Sequence, residues 1–328
     1  MSKGAADVAG TDDAWKRMSR MPESPLSASP YEVLGVDASA TQADLKRAYR
    51  KQLRLTHPDA GGSAAQFQAV QAAWERIGTA ESRARYDRGR GTPQSDATAH
   101  TWSTPAARSP RTDSRPQARS YGHPGGWRRE HYLTLMREWV GRGVDVADAF
   151  DPALVRTAPR EIRHELADAL AEEATARSLT TLGIGYTVWH DVVVPRAREG
   201  VKIDHVVLGP TGLFAVQSED WGVPVTVHRG DLSGDGIDHQ VLHTLATNAR
   251  LLGKATRVRF SVAVVVVPDD AFDESFVVAG KARGIPLVVA QRSYVPQLMR
   301  VGIPDGARPD GTEIFEVRTR LHNGIRFV

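Results

Sequence analysis

From Arg90 to Gly126 the chain carries five prolines and five arginines among Ser, Thr and Ala, with no hydrophobic period. A stretch of that composition cannot bury enough apolar surface to offset the entropy of ordering it. It reads as an extended, disordered linker, and it requires the chain to fold as separate units on either side. Residues 1–29 are small and polar and read as a disordered N-terminal segment. Periodic apolar residues occupy 30–89 and resume from Trp127 to Val328. The second stretch is long enough for a full domain of its own.

Composition narrows the chemistry. The 328 residues include no cysteine, which excludes disulfides, cysteine zinc sites, iron–sulfur clusters and a thiol nucleophile, and which suits a reducing cytoplasm. No apolar run approaches the ~18 residues of a membrane span, and the opening MSKGAADVAGTDDAWKR has no apolar block of the secretory kind. The expected location is therefore cytoplasmic, without a membrane partner. Net charge is +3, and its distribution says more than its sum. Residues 127–328 hold 24 Lys/Arg against 26 Asp/Glu, a balance of −2. Nucleic-acid binding by that part would need a local basic patch.

In the first unit Leu45, Ala48, Tyr49, Leu53 and Thr56 fall on one face of a helix that Thr41 can cap. Lys46, Arg47, Arg50, Lys51 and Arg54 form its other face. Phe67, Val70, Trp74 and Ile77 write a second helix at spacings of three and four. Between the two lies THPDAGGS, where Pro58 stops the first helix and two glycines loosen the chain. The reading is an antiparallel helical hairpin with His57-Pro58-Asp59 at its tip.

Residues 30–89 resemble a J-domain, on PYEVLGV at 30–36, the basic helix leading to HPD, FQAVQAAWERI, and RARYDRG at 83–89. The resemblance implies that His57, Pro58 and Asp59, together with Lys46, Arg47, Arg50, Lys51 and Arg54, dock on a DnaK-type chaperone and stimulate its ATPase. Exposed cations facing an acidic partner favour fast, salt-sensitive encounter, and Pro58 presents the loop at low entropic cost. No Gly/Phe-rich segment follows and no zinc module is available. The C-terminal part is thus expected to supply the specialised function.

That part begins with helices over 129–141 and 159–179. Strands follow at 186–195, 201–209 and 212–218, rich in β-branched and aromatic residues. A helix through Val241, Leu242, Leu245, Ala249 and Leu252 comes next. Buried strands at 258–268 and 285–290, with a helix expected between them, and a closing helix at SYVPQLMRV complete an α/β unit with a mixed sheet.

The stretches GYTVWHDVVVP, KIDHVVLGPTGLFAVQSEDWG and HQVLHTLATNARLL resemble the nuclease-related domain, a branch of the PD-(D/E)xK nuclease fold. In that family a helix acid, the aspartate of an IDH strand and a Glu-x-Lys on the next strand surround a divalent metal. The matching positions here are Glu172, Asp204, Gln217 and Glu219. A neutral amide is a weaker Mg²⁺ ligand than a carboxylate, and a carboxylate cannot donate as an ammonium does. The expectation is a degenerate site, non-enzymatic, in a J-domain co-chaperone. The alternative is a metal-dependent DNA or RNA nuclease with a chaperone-recruiting arm: Asp204 and Glu219 would hold Mg or Mn, and Lys202, two residues before Asp204, would replace the missing cation. His190, His205, His239 and His243 read as exposed or capping histidines, and Trp139, Trp189 and Trp221 as packing residues.

Overall fold

The structure is a computed structural model that describes residues 24–26, 28–57, 64–88, 117–141, 146, 148–198, 200–228, 230–304 and 311–328. Pro58, Asp59, most of the N-terminal segment and residues 90–116 lie outside the described residues. The chain divides into two compact units, residues 27–111 and residues 112–328 together with 1–26.

The first unit is helical: α1 (Pro30–Leu34), α2 (Gln42–Thr56), α3 (Ala64–Ile77) and α4 (Ala80–Arg88). Two capping boxes start it. The hydroxyls of Ser29 and Thr41 accept from the backbone N–H groups of Glu32 and Asp44, whose carboxylates accept in return from the cap backbones. The two apolar faces read from spacing pack together through Leu45, Val70 and Ile77, with Tyr31 and Leu34 from α1. Tyr49 stacks on Trp74 at 4.4 Å. Helix α4 is tied back by polar bonds, Arg83 donating to the Ala38 and Ala40 carbonyls at 2.7 Å each and Tyr31 donating to Asp87 at 2.9 Å. Thr41→Ala removes one cap bond and is expected to cost about 1 kcal/mol, read as faster amide exchange along Gln42–Thr56.

The second unit carries a seven-stranded mixed sheet. Its elements are β1 (Arg119–Tyr121), α5 (Gly126–Val140), α6 (Pro152–Thr157), α7 (Arg160–Leu179), β2 (Thr187–Val193), β3 (Lys202–Gly209), β4 (Gly212–Ser218), β5 (Thr226–His228), β6 (Asp231–Ser233), α8 (Val241–Thr256), β7 (Val262–Val267), β8 (Phe276–Ala282), β9 (Ile285–Gln291), α9 (Val295–Val301) and α10 (Gly311–Gly324). Strand order is β1-β2-β3-β4-β7-β9-β8, with β5 and β6 as a separate ribbon. The run β2–β3–β4 is antiparallel, and β4, β7 and β9 are parallel. VAVVVV in β7 is buried on both faces, as a central parallel strand requires. Val264 and Val266 point to the layer of α7 and α9, with Leu179, Leu298 and Met299. Ala263 and Val265 point to the layer of α8, with Leu245, Ala249 and Leu252. Helix α5 packs on α7 through Tyr132, Leu133, Met136 and Leu166.

Three features depart from the sequence reading: α10 (Gly311–Gly324) follows the helix expected to close the domain, and two strands stand where none is expected. The segment between β7 and β9 is a strand, β8, where a helix is expected. It pairs antiparallel with β9 through a two-residue turn in which Arg283 and Gly284 have φ of 55° and 82°, the left-handed pair that a tight hairpin needs. A register shift near Gly280 and the exposed outer face of this edge strand weaken its apolar alternation. In addition, Arg119–Tyr121, within the stretch read as linker, pairs parallel with Thr187–Trp189. Among the described residues no helix is long and apolar enough to cross a membrane.

Candidate functional site

Three elements of the second unit bring carboxylates to one point. Glu172 sits on the inward face of α7, Asp204 near the start of β3, and Asp191 in β2; all are buried. Asp191 has φ 52°, a left-handed conformation that aspartate tolerates better than β-branched residues. The registered β2–β3 pairs on either side of it are His190–His205 and Val192–Ile203, which sets Asp191 opposite Asp204. The Lys202 ammonium fills the middle. Its Nζ lies 2.5 Å from Glu172 Oε2, 2.5 Å from Asp191 Oδ1 and 2.9 Å from Asp204 Oδ1. The other oxygen of Asp204 accepts the Ser218 backbone N–H at 2.8 Å. Burial alone would pull the Lys202 pKa down, but Asp204, Glu172 and Asp191 outweigh it and hold the ammonium above its ordinary range. Burial, reinforced by Asp204, pushes the Glu172 carboxyl well above the usual range.

A second charged group adjoins the first. Arg128, on α5, places Nη1 3.0 Å from Asp168 Oδ2 and 3.3 Å from Glu165 Oε2. Glu219 stands just beyond β4, its backbone N–H donating to the Val266 carbonyl at 2.9 Å. Burial and Asp168 push its carboxyl well up, against the pull of Arg128. Burial likewise raises Asp168 to about 6. His164, Asp168 and Glu219 each offer a ligand atom within 4.8 Å of the others, and Arg128 is the cation beside them. Lys202, Gln217, Glu219, Arg128 and Trp127 line a cleft of about 210 Å³ facing Asn248 and Thr244 of α8.

The sequence-derived set is therefore divided. Glu172, Asp204 and Lys202 are in direct contact, and Gln217 and Glu219 line the cleft beside them. Asp204 is committed to Lys202 and Ser218, whereas Glu219 groups with Asp168 and His164. Asp191, Asp168 and Arg128 complete the arrangement and were not singled out from sequence. A divalent metal does not fit between Glu172 and Asp204 as the chain stands, because the ammonium already touches both carboxylates.

Of the four histidines, His239 is exposed as expected, whereas His190 and His205 are not. His190 and His205 are buried as a pair, with Nδ1 atoms 2.7 Å apart. His190 Nε2 is hydrogen-bonded to the Ser120 hydroxyl at 2.9 Å. Burial lowers His190 to about 4 and drives His205 well below its ordinary value. Both rings are neutral near pH 7. Trp189 and Trp221 lie in the core, while Trp139 is partly exposed.

In the helical unit Lys46, Arg47, Arg50, Lys51 and Arg54 are all exposed. Four of them, with Leu55, surround a shallow hollow. His57 ends α2 and meets Phe67 of α3 edge-on at 5.3 Å.

Comparison with known families accounts for both units. The chain carries a DnaJ domain at residues 29–87 and a nuclease-related domain at residues 167–267. Chaperone protein DnaJ of Rippkaea orientalis is 43% identical over 65 residues, 19% of this chain and 17% of that protein. Chaperone protein DnaJ of Erysipelothrix rhusiopathiae is 45% identical over 60 residues, 17% of this chain and 16% of its own length. DnaJ protein homolog 2 of Allium porrum is 43% identical over 68 residues, 21% and 16% of the two chains. The match thus spans less than a fifth of each of these relatives. Glu172, Asp204, Gln217 and Glu219 fall inside the nuclease-related match, whereas Arg128 precedes it.

Proposed function

We propose that this chain, with its DnaJ domain and its nuclease-related domain, is a cytoplasmic J-domain co-chaperone that stimulates a DnaK-type ATPase and directs it through a degenerate nuclease-related domain. The observation that carries the reading is the exposed cationic face of α2, leading into His57-Pro58-Asp59 within the DnaJ match. A J-domain implies a chaperone of the 70-kDa class as partner. At the other site, Gln217 and Glu219 stand where the nuclease family has Glu-x-Lys, and that exchange supports a binding role over a hydrolytic one. His57→Gln in the full chain is expected to remove stimulation of a DnaK-type ATPase in single-turnover assays and to leave helicity unchanged. Stimulation equal to wild type at matched helicity rejects the proposal.

The second reading, metal-dependent cleavage of DNA or RNA, draws on Lys202, Gln217 and Glu219 lining one cleft. Nucleic acid would find a local basic patch in Arg196, Arg198 and Arg326, which line a neighbouring hollow of about 530 Å³. Cleavage of labelled strands with Mg²⁺ or Mn²⁺, lost in Asp204→Asn, would establish this reading in place of the first.

A further inference from the structure

We infer that Lys202 is the resident cation of the nuclease-related site, seated where a divalent metal would otherwise lie between Glu172 and Asp204, and that it makes the folded domain independent of metal. The inference builds on the reading of this site as degenerate and gives that reading a physical basis beyond Gln217 and Glu219.

The contacts of its ammonium carry it. A lysine ammonium has three N–H donors and no acceptor. Three carboxylate oxygens, from α7, β2 and β3, lie within 2.9 Å of it; Glu172 Oε2 and Asp191 Oδ1 accept hydrogen bonds from it, and Asp204 Oδ1 is in ion-pair contact. Mg²⁺ calls for near-octahedral coordination by six oxygens and usually retains several waters. Here one ammonium stands in contact with all three carboxylates and occupies the space between them. Asp191, held by an unusual backbone conformation, supplies one of the two hydrogen-bond acceptors. The lysine cannot readily yield the seat. Its side chain is 3% exposed, and its departure would leave three buried carboxylates without their counter-ion. A second cation entering while Lys202 stays would sit against a positive charge at contact distance.

The test uses the full chain and Mn²⁺ alone as the probe, read by electron paramagnetic resonance and by the unfolding midpoint of the C-terminal domain. Wild type is expected to show no saturable Mn²⁺ binding and no midpoint shift. Lys202→Met, which keeps an apolar stem and removes the charge, is expected to bind one Mn²⁺, with a midpoint that rises with Mn²⁺ concentration. Lys202→Met/Asp204→Asn should lose both effects. Saturable binding to wild type that Asp204→Asn abolishes would overturn the inference, as would a folded Lys202→Met indifferent to Mn²⁺. Should Lys202→Met not fold alone, its recovery on refolding with Mn²⁺ supports the inference, and equal failure with and without Mn²⁺ refutes it. Incubation with labelled DNA and RNA separates the two ideas. Cleavage by a wild-type chain that binds no Mn²⁺ ends the degenerate reading and leaves the lysine seat standing; Mn²⁺ binding without cleavage does the reverse.

Discussion

His190→Gln and Asp168→Asn are expected to shift the pH dependence of the C-terminal domain's stability in opposite directions between pH 4 and 6.5. Burial lowers His190 to about 4 from an ordinary 6.5. The unfolded chain therefore binds the proton more readily. Stability from this group is complete above pH 6.5 and is lost as pH falls toward 4, by about 3 kcal/mol. Burial raises Asp168 to about 6 from 3.8, so its sign is reversed. Its contribution is complete below pH 3.8 and is lost as pH rises through 6, again by about 3 kcal/mol. The two slopes oppose each other over nearly the same window. His205 reinforces the histidine side, and the raised Glu172 and Glu219 reinforce the carboxyl side. Relative to wild type, Asp168→Asn should turn the stability profile toward rising with pH, and His190→Gln should turn it toward falling. Native-state hydrogen exchange of the Val262–Val267 amides reports this domain separately from the helical unit. Identical slopes in wild type and both variants would show that neither group titrates as its burial implies.

Legibility in the sequence follows locality. Both helical faces of the first unit and the Thr41 cap depend on residues three and four apart, and the structure contains them as read. Strands β2, β3, β4 and β7 are equally local, being runs of β-branched residues. Strand β8 was hidden because its outer face is exposed and its turn is Arg-Gly, not the commoner Asn-Gly or Asp-Gly. Strand β1 is three residues long and lies beside a proline-rich stretch, so it has no period of its own to detect. At the site, Glu172, Asp204 and Lys202 were legible as residues but not as an ion cluster. The cluster needs Asp191, whose place opposite Asp204 is fixed by strand register. The histidine pair arises from the same register. Arg128 reaches Asp168 only because α5 docks on α7, a contact that no spacing within either helix records.

Arg128→Leu is expected to be among the most destabilising single changes in the domain, and Glu219→Lys should repair part of the damage. Without Arg128, Asp168 and Glu219 keep their burial and lose the cation beside them, and breaking a buried pair in this way costs about 3–5 kcal/mol. The family resemblance places a lysine at position 219, and this chain instead has an acid there, with its cation supplied from α5. A lysine at 219 in the Arg128→Leu background would return a positive charge to Asp168 from the end of β4. In wild type the same substitution should destabilise, because it sets a third cation beside Arg128 and Lys202. The double variant is thus expected to exceed the stability predicted by adding the two single effects by at least ~2 kcal/mol, within the range seen for residues that share one network. A thermodynamic cycle over the four chains, measured by the same exchange of β7 amides, reads that difference directly. Simple additivity would mean that Arg128 and Glu219 do not share the charge of Asp168, and that the cation contributed by α5 is not a substitute for the strand lysine.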